Sequence, residues 1–159
     1  MYKKPRRYLI DANCINALQV KQDINKLEDL FKQGRILLSM PETAYLEANF
    51  GSLLRQKKSE DYLFEGVVNQ EQRFEYKYKQ IENIVFPNGA KKENQKNDIK
   101  ILVYLSITRI PFITMDGASK SQPGGMLGNK AALKKLGIKV MSPSEAVAEI
   151  TSELVGRNN

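Results

Sequence analysis

Two acids, Asp11 and Asp116, each close a short apolar run: Tyr8-Leu9-Ile10-Asp11-Ala12-Asn13 early in the chain and Ile110-Pro111-Phe112-Ile113-Thr114-Met115-Asp116-Gly117 late in it. An apolar run that stops at an acid reads as a buried parallel strand with a carboxylate at its carboxyl end. In open α/β sheets ligands bind outside those ends, which makes such a carboxylate a candidate for chemistry. Asp and Asn also favour turns and helix caps, so the strand end alone leaves both readings open. Two further acids, Glu47 and Asp98, fall in helical stretches that follow a strand or loop end. Asp98 has its own alternative, since an acid in the first turn of a helix is stabilised by the macrodipole. Glu42 and Glu47 lie five residues apart, about one and a half helical turns, so only one of them can face a crevice shared with the others.

The chemistry open to these acids is narrowed by the rest of the composition. The chain has no histidine, which excludes His-ligated zinc, Ser-His-Asp and Cys-His triads and any imidazole base. A single cysteine, Cys14, permits no intramolecular disulfide, argues against a Cys-ligated metal and reads as a small packing residue in a reducing compartment. Two carboxylates about 5 Å apart repel by roughly 3 kcal/mol at an effective dielectric near 20, so several together protonate or recruit a cation. With oxygen donors only, that cation is hard: Mg²⁺ or Mn²⁺. No Gly-rich phosphate loop with its Lys follows the first apolar run, which leaves a phosphate-transfer or signalling domain without support.

Positioning these acids requires a sheet. Strand-like runs at 8–10, 35–40, 110–115 and 138–141 alternate with helical stretches: one from Cys14 to Lys32, interrupted, then Glu42 to Phe50, a helix or helical pair from Ser59 to Phe86, a largely buried helix opened by Asp98, a short basic helix from Asn129 to Leu136, and a last one to about Val155. The alternation predicts a three-layer α/β/α fold with a central parallel sheet, and right-handed crossovers bring Asp11 and Asp116 to one edge of it. Gly34 and Gly137 are expected helix stops, and Ser142-Pro143-Ser144-Glu145 reads as a capping box. The segments 87–97 and 119–128 read as polar loops, the second a candidate substrate lip. At 159 residues and 42% hydrophobic content the chain is expected to be one domain, 1–159, with a sizeable core. The apolar stretch after the basic start ends at Asp11, too early for a signal peptide or membrane span, so a cytoplasmic location is expected. A net charge of +7 suits a polyanionic partner such as nucleic acid. Arg73, Lys77 and Lys79 interleave with Phe74, Tyr76 and Tyr78, letters that fit base stacking and phosphate binding but equally an amphipathic helix with a solvated face.

Five pieces of the chain, in order, resemble the PIN-domain family of metal-dependent ribonucleases: Leu9-Ile10-Asp11-Ala12-Asn13, Pro41-Glu42-Thr43-Ala44-Tyr45-Leu46-Glu47, Asn97-Asp98, Phe112-Ile113-Thr114-Met115-Asp116, and Leu136-Gly137-Ile138-Lys139-Val140-Met141-Ser142-Pro143. The resemblance implies Asp11, Glu47, Asp98 and Asp116 as an acidic quartet, with Asn13 and Thr114 as polar supports, and selects Glu47 over Glu42. It implies an endonuclease dependent on Mg²⁺ or Mn²⁺, with RNA a closer expectation than DNA. Asp11, Asp98 and Asp116 would hold the metal, and Glu47 would join them or orient the attacking water. Many small bacterial members are toxins of toxin–antitoxin pairs and many form homodimers, so an antitoxin protein and a second copy of the chain are the protein partners it suggests. Ala12 stands where the family often has Thr, and the region 59–97 is longer and more polar than in compact members. The rival expectation is a PIN-like module that binds nucleic acid or protein without catalysis.

Overall fold

The computed structural model describes residues 4–66, 73–117 and 122–156. The expectations placed on Met1 to Lys3, Val67, Ser119 to Ser121 and the last three residues lie outside these. Five strands form one all-parallel sheet among the described residues: β1 (Arg6–Ile10), β2 (Ile36–Pro41), β3 (Leu63–Glu65), β4 (Phe112–Ile113) and β5 (Val140–Met141). Their order is β3-β2-β1-β4-β5. From β1 the chain builds outward on one side and then returns to the other, which makes the gap between the ends of β1 and β4 a topological switch point. Leu9 pairs with Phe112 and Ile10 with Ile113, and this register carries Asp11 to the level of Thr114.

The helices are α1 (Gln22–Lys32), α2 (Glu42–Asn49), α3 (Leu53–Ser59), α4 (Glu75–Val85), α5 (Glu93–Thr108), α6 (Gly125–Gly128), α7 (Lys130–Lys135) and α8 (Pro143–Gly156). They divide over the two faces of the sheet as alternation along the strands requires. Tyr8 and Ile10 point to one face, where Ile24 and Leu27 of α1, Ala44 and Ala48 of α2, and Ala146 and Ile150 of α8 cover them. Leu9 and Phe112 point to the other, under Ile81 and Val85 of α4, Leu102 and Leu105 of α5, and Leu133 of α7. The expected three-layer α/β/α fold is the one observed. Among the described residues no helix is long and apolar enough to cross a membrane.

Local signals were right where the segment is long or capped. Ser142 Oγ accepts from the Glu145 amide at 3.3 Å and Glu145 returns the bond to the Ser142 amide at 2.8 Å, the expected capping box with Pro143 at the first helical position. Three expectations are corrected. The helix begun at Cys14 is a 3₁₀ turn over Ala12–Cys14, then irregular chain until α1 starts at Gln22, because Asn16 bonds the Lys21 backbone and Asn25 and holds a turn there. The stretch from Ser59 to Phe86 contains the edge strand β3 as well as α4; three residues are too few for alternation to register. The polar loop after Pro87 ends early, since α5 begins at Glu93, where the Gln95 side chain accepts from the Lys91 and Lys92 amides.

Candidate active site

Asp11 follows β1 directly and is 8% exposed. One carboxylate oxygen accepts from the Ala12 amide at 2.7 Å and the other from Thr114 Oγ1 at 2.7 Å. Thr114, fully buried past the end of β4, uses its hydroxyl three times: it donates to Asp11 and accepts from Asn13 Nδ2 at 3.1 Å and from the Asp116 amide at 3.0 Å. Asn13 Oδ1 accepts from the Met115 amide at 3.0 Å. Thus the two polar residues that the resemblance picked as supports tie the ends of β1 and β4 together and set the Asp11 carboxylate.

The other three acids arrive from different elements. Asp116, half-buried, is held by the α6 end of the chain: its side chain accepts from the Met126 amide at 3.1 Å and its carbonyl from the Leu127 amide at 3.2 Å. Gly125 makes this approach possible, because at φ +58 a Cβ there would stand 2.2 Å from the Gly117 carbonyl oxygen. The described part of the expected substrate lip, from Gln122 onward, is therefore a support for Asp116. Asp98 lies six residues into α5, whose first-turn acid is Glu93; this position removes the macrodipole explanation for Asp98. Glu47 projects from α2, on the opposite face of the sheet from α5, beside the buried Ala44 and Ala48.

Burial raises all four carboxyls, and for two of them the charges of the other acids add to the rise. Burial pushes the Asp11 carboxyl up to about 6, against the hydrogen bonds from Thr114 and Ala12, with the charges of Glu47 and Asp116 adding to the rise. Asp98 goes to about 8, through burial first and then the charges of Asp11, Glu47 and Asp116. Desolvation also raises Asp116, opposed by the Met126 amide and the Gln122 side chain, and raises Glu47, opposed by Arg55. Of the two acids on α2, Glu47 is the one whose charge Asp11 and Asp98 feel. Among the described residues no three His, Cys, Asp or Glu side chains are grouped as ready ligands for one ion. The donor set nevertheless suits a hard divalent cation: it is all oxygen, its carboxyls repel one another, and burial penalises their charge.

No protein-family model and no curated protein matches this chain. The PIN resemblance therefore rests on the sequence pieces quoted for it alone.

Two cationic side chains reach this rim, and neither was singled out from the sequence. Lys21 Nζ donates to the Asn13 carbonyl at 3.0 Å, and Arg55 Nη2 donates to the Ala12 carbonyl at 2.9 Å. Nothing local marks Arg55: it sits in an eight-residue polar and leucine-rich connection, 51–58, and its partner is 43 residues away. The interleaved basic and aromatic residues of α4 have mostly local partners instead. The Arg73 guanidinium and the Lys77 ammonium lie over the Phe74 ring, at 5.6 and 5.9 Å, and Lys79 pairs with Glu82; Phe74 and Tyr78 pack on the core, leaving Tyr76 exposed. Cys14 is fully buried and its thiol is pushed up by that burial and by Asp11, which suits packing rather than reactivity.

Proposed function

We propose that the protein is a Mg²⁺- or Mn²⁺-dependent endonuclease acting on RNA. One observation carries the reading: Asp11, at the switch point of the sheet, and Asp98, on α5, are pushed up to about 6 and 8, by burial first and then by the charges of acids on other elements, Glu47 and Asp116 acting on both and Asp11 on Asp98. A fold keeps mutually repelling, desolvated acids together at a crevice when something from outside completes them. Asp11, Asp98 and Asp116 would hold the cation, with Thr114 and Asn13 fixing Asp11 for that role. Glu47, the most open of the four, orients the attacking water or joins the ligand set. A divalent cation bound there would supply charge neutralisation on the phosphate and a nucleophile at neutral pH in a chain that has no imidazole base. The positive net charge of +7 favours approach of a polyanion. Exposed Leu46, Phe50, Leu53 and Leu54 on α2 and its junction with α3 offer apolar area for a protein partner, an antitoxin or a second copy of the chain.

The rival reading is a PIN-like module that binds nucleic acid or protein without catalysis. Labelled single-stranded RNA separates the two. With Mn²⁺ the wild-type protein is expected to cut it, chelation to stop cutting, and Asp98→Asn to bind as well or better without cutting. Wild type that binds in Mn²⁺ but cuts neither RNA nor DNA establishes the binding module instead.

A further inference from the structure

We infer that Arg55 binds the phosphate backbone of the nucleic-acid strand at this crevice, offering its guanidinium to the non-bridging oxygens beside the acids. The inference rests on the nuclease reading and gives one of the two cations on this rim a role where a polyanion would meet the acids.

Three contacts aim the side chain. Ser52 Oγ accepts from the Arg55 amide at 3.3 Å and caps the start of α3. Gly51 leaves the stem room: a Cβ there would lie 2.8 Å from Arg55 Cδ. At the far end Nη2 donates to the carbonyl of Ala12, the residue after Asp11, at 2.9 Å. So placed, the guanidinium is only partly satisfied. Its Nε is buried with no hydrogen-bond partner, and among the described residues Arg55 makes no ion pair within 4 Å of a carboxylate; Glu47 is the acid that feels its charge. A guanidinium has five donors in a planar fork that matches phosphate oxygens two at a time. Were Arg55 only a structural tie between α3 and the Ala12 turn, one neutral donor would do, and neither the charge nor the donors left over on the fork would be needed.

The test uses the full chain carrying Asp98→Asn, with a short fluorescein-labelled single-stranded RNA as probe and binding measured across a series of salt concentrations. Adding Arg55→Ala is expected to weaken binding by about tenfold or more and to make the plot of log affinity against log salt shallower by about 0.7, the share of one phosphate contact on a single strand. Arg55→Lys should regain the salt slope, since it keeps the charge, but only part of the affinity, since it loses the fork. Lys57→Ala removes the same charge from the exposed side of the same helix and should change the slope less. An unchanged slope in Arg55→Ala, or equal losses in Arg55→Ala and Lys57→Ala, overturns the inference, because a general positive field would then explain binding. With Asp98 intact, Arg55→Ala should raise KM more than it lowers kcat. Cleavage without any Arg55 effect sinks this inference and leaves the nuclease reading standing; an Arg55-dependent slope without cleavage does the reverse.

Discussion

Two buried carboxylates, Asp11 and Glu28, are 8% and 5% exposed and have opposite surroundings. Glu28 on α1 accepts from Lys58 Nζ at 2.8 Å and from the Tyr62 hydroxyl, and Lys58 also reaches Asp61 at 3.1 Å. Burial alone would lower the Lys58 ammonium, yet its hydrogen bonds to Glu28 and Asp61 leave it raised, and the Tyr62 phenol is pushed up by burial and by Glu28. There α1, α3 and the start of β3 are locked by charges that the chain itself supplies. Asp11 has neutral donors from its own chain, and the charges that bear on its carboxyl are those of acids, Glu47 and Asp116 raising it and its own charge raising Asp98, while Arg55 and Lys21 stop at the neighbouring carbonyls of Ala12 and Asn13. A carboxylate that holds a fold together is completed from within. Asp11, with no cation among the described residues paired to its carboxylate, is on the proposed reading completed by a cation from outside.

That contrast breaks most visibly in activity. Glu47→Gln is expected to lower RNA cleavage by on the order of 10²-fold or more, while Glu42→Gln, exposed at the first position of α2, leaves activity unchanged and costs at most a few tenths of a kcal/mol to about 1 kcal/mol of stability. Rates at saturating Mn²⁺ decide it, and an inactive Glu42→Gln beside an active Glu47→Gln would put the wrong acid in the crevice. The reverse signature belongs to the other cluster. Lys58→Met leaves Glu28 buried without its ammonium and is expected to cost roughly 3 kcal/mol of stability with kcat unchanged, by denaturant unfolding and cleavage rates. A loss of only a few tenths would show that Glu28 does not depend on its partner.

Cation binding sharpens the comparison further. Mg²⁺ or Mn²⁺ at about a hundred times its dissociation constant should stabilise the wild type by about 2.7 kcal/mol through native-state binding, raise Tm accordingly, and leave Asp11→Asn/Asp116→Asn unmoved; equal shifts in both proteins would remove the proposed site. The smallest effect is in pH. A carboxyl whose folded value is raised binds its proton longer in the native state than unfolded, so stability falls as pH rises between the two values: from 3.8 to about 6 for Asp11 and from 3.8 to about 8 for Asp98. Between pH 6.5 and 7.5, in chelator, Asp98 should cost the fold about 1 kcal/mol, bounded by about 1.4 kcal/mol per pH unit for one proton. Asp98→Asn should flatten that slope, and a flat wild-type profile would mean the crevice acids are compensated as Glu28 is.

What could be read from the sequence was what neighbours along the chain decide. Apolar runs ending in Asp11 and Asp116 marked two strand ends, helical spacing marked α2 and α5 with Glu47 and Asp98 on them, the Ser142–Glu145 box marked the start of α8, and the lack of histidine narrowed the donors to oxygen. Only the tertiary structure decided how these meet. It carried Thr114 to Asp11 across 103 residues, set Gly125 and the Met126 amide under Asp116, brought Glu47 and Asp98 over from opposite faces of the sheet, and delivered Arg55 to the Ala12 carbonyl. It also made β3 a strand and closed the Glu28–Lys58–Tyr62 cluster. The physical reason is range: caps, periodicity and strand ends are set by residues a few positions apart, whereas a shared crevice is set by sheet order and helix packing, which no local stretch encodes.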